Sequence, residues 1–473
     1  MNPEKNILTA IETETKKERP TAILLDIYET KERGEISKIQ GTLSTALEEL
    51  NHLASSNGKQ KLQENLDWLL NNNNRIDLYQ ITAVLNGENY NRADEEMGEA
   101  KAKQLFAYQK IQAALSVAGE ISQPNSVQLI ADFIDINHEN VYLCNTAIDS
   151  LGKNKSPEAR NKMLKIADEQ KYGYELRTRA VLTGLRAGIP FEGEKISTLL
   201  KQYMTDSGDK ICQTMGTYNI IEIAGLLADH HLSAEILDNL QNRIQNFPPE
   251  KTQWFERDIV STRLAVQTGD KERYLEKTLS ARHYTAKNGI VFGSIKPDFN
   301  FAEFLDRHRD KFDKMAGVLE HLNQAFSAEP IMYVDISSGD ANEAGWTQNS
   351  IYFSSDYIEH SHEIGDLLQS TGHEACERWQ SKGFIDVQLS KYYLQLMGQK
   401  YQGSQLDKFR LKHRMKDETN AGHPWDGERE FIAELGSTLL VDPTVSDKLF
   451  DPTKDQTALE ALNYLKTKLN LKT

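Results

Sequence analysis

The chain has 473 residues, too many for one hydrophobic core, so two or three domains are expected. Its 55 Lys and Arg against 70 Asp and Glu give a net charge of −15, which disfavours nucleic acid and anionic membrane surfaces as principal partners. Hydrophobic residues make up 39% of the chain, and no apolar run approaches the ~18 residues of a membrane helix, so no membrane insertion is expected.

The opening, MNPEKNILTAIETETKKERP, carries charge where a secretory signal needs an apolar run. Cys144, Cys212 and Cys376 are far apart and suggest no disulfide framework. The expected location is cytoplasmic, or outside the cell by a leaderless route. Residues 1–99 are expected to be an N-terminal helical segment, flexible in part. Apolar spacing is helical from Ile39 to Leu70, and the run Asn71 to Asn74 is expected to be a loop.

A repeat follows. Ala114-Leu-Ser-Val-Ala-Gly119 is echoed by Ala147-Ile-Asp-Ser-Leu-Gly152, and a third copy starts at Ala180. Each interval is 33 residues, with small side chains at fixed places. Stacked helix pairs need such a pattern, because neither helix of a pair buries its apolar face alone. Asn137 is expected to cap the second copy. Ile220 to Leu227 and Ile259 to Val266 look like further inner helices. The region 100–287 resembles HEAT-type repeats, which implies an α-solenoid and a protein partner.

Near Asn288 the texture changes. Ile290 to Ile295, Ile331 to Ile336 and Ser350 to Phe353 are short β-rich runs bounded by turn residues, with Gly345-Trp346 as one turn. A long amphipathic helix is expected over Phe301 to Phe326, and helices return from Tyr357. Residues 288–473 are therefore expected to be α+β, and the whole chain mainly α.

One string in this region carries chemistry. Thr371-Gly-His-Glu-Ala-Cys-Glu-Arg-Trp379 contains His373-Glu374-x-x-Glu377, one substitution from HExxH. Positions four apart on a helix differ by about 40° in direction, so His373 and Glu377 share a face and can grip one ion. Glu374 sits about 100° round from His373, placed to take a proton from an activated water. A second group, His362-Glu363-x-x-Asp366, lies 11 residues upstream and would share the stripe on an unbroken helix. Cys376 is either near the site or a buried core thiol.

Together with Glu430-Phe-Ile-Ala-Glu434 downstream, this string resembles the glutamate-type zincin metallopeptidases of the anthrax lethal factor kind. The resemblance implies that His373, Glu377 and Glu430 hold the metal and that Glu374 is the catalytic base. His423 stands where the family has a tyrosine that assists the tetrahedral intermediate. It also implies an edge strand beside the metal helix, expected at Asn349 to Ser355, and a protein or peptide substrate. The departure is Glu377 in place of a second histidine. One imidazole and two carboxylates neutralise a divalent ion and lower the pKa of bound water less, and the extra oxygen ligand shifts preference from Zn2+ toward Mn2+. Three functions follow: a metal-dependent peptidase, an inactive zincin-fold pseudo-enzyme without metal, or a protein–protein interaction scaffold.

Overall fold

The computed structural model describes residues 34–55, 91–92, 95–96, 99–206, 216–266, 270–279, 282–327, 330–337, 344–361 and 364–381, with isolated positions before 34 and after 432. The described residues are mainly helical, with a small mixed sheet in the C-terminal third. No described helix is long and apolar enough to cross a membrane. Packing divides the chain into two compact units, with the break between Pro190 and Phe191.

The first unit contains α1 (Ile36–Ser55), α2 (Glu99–Glu120), α3 (Pro124–Asn137), α4 (Val141–Lys153), α5 (Pro157–Asp168) and α6 (Tyr174–Arg186). Ala114, Ala147 and Ala180 fall on α2, α4 and α6, and all three are fully buried. Helix α2 packs on α4, and α4 on α6. The same close approach occurs in both steps. A Cβ built on Gly119 would lie 2.3 Å from the Ser150 carbonyl oxygen, and one on Gly152 would lie 2.3 Å from Thr183 Cγ2. Gly119 and Gly152, like Ser150 and Thr183, occupy equivalent positions of the repeat, with backbone of Ser150 meeting the first glycine and the side chain of Thr183 the second.

Helices α3 and α5 each open with proline at the first turn, where its missing N–H costs nothing. The cap of α4 is Asn140, whose side chain accepts from Leu143 N, and not Asn137. Asn137 closes α3 instead, its Nδ2 donating to Phe133 O. Asp135 of α3 accepts from Lys162 Nζ at 2.7 Å, from Lys171 Nζ at 3.1 Å and from the Tyr172 hydroxyl. Burial alone would raise the Asp135 pKa, but these donors outweigh it and hold the carboxyl well below its ordinary range.

The second unit begins with α7 (Gly193–Asp206), α8 (Gly216–Leu226), α9 (His230–Ile244), α10 (Pro249–Ala265) and α11 (Lys271–Thr278). The two expected inner helices correspond to α8 and α10, which pack together. Five strands follow: β1 (Tyr284–Thr285), β2 (Val291–Gly293), β3 (Tyr333–Ser337), β4 (Ala344–Trp346) and β5 (Ile351–Ser354). Helix α12 (Phe301–Ala325) links β2 to β3, and α13 (Ser355–His360) and α14 (Ile364–Ser381) follow β5. The sheet order is β1-β2-β3-β5-β4, parallel from β2 through β3 to β5 and antiparallel at both edges.

Helices cover both faces of this sheet, which is why its parallel strands are buried almost without a break. On one face Val291 and Tyr333 join Val260 and Leu264 of α10, Leu275 of α11 and Leu279 just after it. On the other, Phe292 stacks on Phe312 of α12, with ring centres 4.9 Å apart. Arg257 of α10 reaches into the sheet, its Nε donating to Asp335 Oδ2 at 2.6 Å and its guanidinium lying 4.2 Å from the Tyr352 ring.

Candidate functional site

Helix α14 carries His373, Glu374 and Glu377. It packs against α12 and lies along β4 and β5. Its inner side is anchored by Trp379, fully buried and stacked on Phe326 at 4.7 Å, and by Leu367 and Ala375. Arg378 is also buried, with Nε donating to Gln348 O at 2.7 Å. His373 and Glu377 are half-buried one turn apart, as the sequence predicts. Glu374 is 9% exposed. Glu377 Oε2 accepts from the indole Nε1–H of Trp346 at 2.8 Å, so one end of the site is tied to β4.

The expected edge strand is an inner one. Ile351–Ser354 lies between β3 and β4, and among the described residues the edge belongs to Ala344–Trp346. Gly345 and Trp346, expected as a turn, pair instead with Tyr352 and Ile351. The reversal is made by residues 347–350, closed by Thr347 N donating to Ser350 O at 2.8 Å. The Tyr352 ring lies over Gly345, where a Cβ would come within 2.3 Å of its hydroxyl. An antiparallel edge strand therefore does lie beside the helix, one hairpin arm earlier than expected.

Helices return near Tyr357, as expected, and two are described. Helix α13 ends at His360, Ser361 is extended (φ −64°, ψ 94°), and α14 starts at Ile364. His362 and Glu363 of the second group lie outside the described residues. Cys376 is fully buried, and burial pushes its thiol up to about 12, so it is a core thiol and not a reactive one.

Glu430 and His423 lie outside the described residues. Ala433, Gly436, Ser437 and Leu439, just downstream of Glu430, are helical and buried. A Cβ built on Gly436 would lie 3.0 Å from Cys376 Sγ, so this turn meets α14 one turn from His373. Among the described residues, no group of three His, Cys, Asp or Glu side chains forms a metal site. His373 and Glu377 lie four residues apart on α14, and no third such side chain among the described residues joins them. Trp346 was missed by sequence reasoning, because a three-residue strand is too short to show alternation.

Set against protein-family models, curated proteins and solved structures, the chain matches none.

Proposed function

We propose that the C-terminal part of the chain is a metal-dependent peptidase, with His373, Glu377 and Glu430 holding a divalent ion. Two observations support this: the helix bearing His373 and Glu377 lies beside antiparallel strand β4, and Gly436, six residues past Glu430, packs on the same helix. When bound, Zn2+ or Mn2+ supplies Lewis-acid activation of water and of the scissile carbonyl. Glu374 takes the proton of the attacking water and delivers it to the departing amine, acting first as base and then as acid. Strand β4 holds an extended peptide by main-chain hydrogen bonds. His423 donates a hydrogen bond to the developing oxyanion when its ring carries a proton on the facing nitrogen. The first unit reads as a HEAT-like α-solenoid that docks a protein partner, supported by close approaches at the equivalent pairs Gly119–Ser150 and Gly152–Thr183.

Glu374→Gln keeps the shape of the side chain and removes its basicity. Peptide cleavage, followed by mass spectrometry, is expected to fall at least ~100-fold while metal content is unchanged. An undiminished rate in this variant refutes the role of Glu374. A second reading, a zincin-like binding module without catalysis, is favoured by the near-complete burial of Glu374 and by glutamate in place of the second histidine. It predicts no cleavage by the wild-type chain in either metal.

A further inference from the structure

The bond between Trp346 and Glu377 joins two elements that the site needs in register. The indole Nε1–H lies 2.8 Å from Glu377 Oε2, and the two residues are 31 apart in the chain. An indole nitrogen donates and never accepts, so it aims at a carboxylate oxygen in one sense only. A neighbouring hydrogen bond of this kind fixes how a metal-ligating carboxylate is turned.

Trp346 is itself held from two sides through the loop that follows it. Asp258 of α10 accepts from Thr347 Oγ1 at 2.8 Å, from Gln348 N at 3.2 Å and from Asn349 N at 2.5 Å. From the opposite side, Arg378 of α14 donates to Gln348 O at 2.7 Å. The loop is clamped between a buried carboxylate and a buried guanidinium, each on a different helix. Strand β4 therefore cannot slide along α14 without breaking these bonds, and the indole stays aimed at Glu377.

We propose that Trp346 is a positioning residue whose indole N–H sets the orientation of the Glu377 carboxylate toward a metal ion, with the clamped loop holding the indole in place. This rests on the metal-binding reading of His373 and Glu377 given above. It makes edge strand β4 part of the ion site as well as a surface for substrate.

The test is calorimetric titration of the full-length protein with zinc chloride. Trp346→Phe keeps an aromatic ring, though a smaller one, and removes the donor, and is expected to bind zinc 10- to 100-fold more weakly, about the usual effect of losing a partner of a metal ligand. Trp346→His restores a ring N–H and is expected to recover part of that loss, which a role in packing alone does not predict. In a Glu377→Ala background, Trp346→Phe is expected to have no further effect on zinc affinity. Thermal melts of the metal-free proteins separate affinity from folding, and if the Phe variant does not fold, the His variant compared with wild type carries the test. Zinc affinity equal to wild type in the folded Phe variant, or an equal loss with Glu377 already removed, overturns the role of Trp346 alone. A wild-type chain that binds neither zinc chloride nor, in a parallel titration, manganese chloride overturns the metal-binding reading, and this inference with it.

Discussion

Asp335 has no exposed surface, yet it sits in the middle of a sheet. It is tolerable there because its oxygens accept from Arg257 Nε at 2.6 Å, from the Tyr333 hydroxyl at 2.8 Å and from Ile295 N at 3.3 Å. Buried charge without such partners is strongly unfavourable. Replacing Asp335 with Ala strands the Arg257 guanidinium in the core. The expected cost is about 3–5 kcal/mol in urea unfolding, the range for breaking one side of a buried ion pair. A loss below ~1 kcal/mol would mean the pair is wetter than its burial indicates. This pair was not legible in the sequence: the partners are 78 residues apart, and neither belongs to a motif. The Trp346–Glu377 bond was hidden for the same reason, whereas His373 and Glu377 were legible because helical spacing alone places them together.

Among the elements, long helices were the most readable. Helix α12 was expected over Phe301 to Phe326 and spans Phe301–Ala325, with Asn300 capping it through a bond from Glu303 N. The spacing of small residues also identified the positions where α2, α4 and α6 approach closely. Short elements were not readable: β1 has two residues and β4 three, too few for a period of two to appear. The close approach makes a contrasting pair of predictions. Gly119→Ala drives a methyl group into the Ser150 carbonyl, backbone that cannot rotate away, and is expected to destabilise by about 1–3 kcal/mol. Gly317→Ala, inside α12 with open space at the same point, is expected to stabilise by up to ~1 kcal/mol through helix propensity. Thermal melts of the two variants moving in the same direction would refute the packing account.

For the molecule as a whole, composition marks a change near Asn288, but packing groups α7 to α11 with the sheet. The cause is visible in α10. Arg257 and Asp258 are adjacent, and one turns into the sheet at Asp335 while the other holds the loop before β5. Val260 and Leu264 of the same helix join the apolar layer against Val291 and Tyr333. A helix that reads in sequence as one more layer of an array is thus part of the core that supports α14. The chemistry proposed for α14 depends on whether that support presents His373 and Glu377 to an ion. The direct measurement is elemental analysis of the wild-type protein and of His373→Ala, both purified without chelators. About one equivalent of zinc or manganese per wild-type chain, lost in the variant, is the predicted result. A wild-type chain free of metal, or a variant that keeps the same amount, would contradict it.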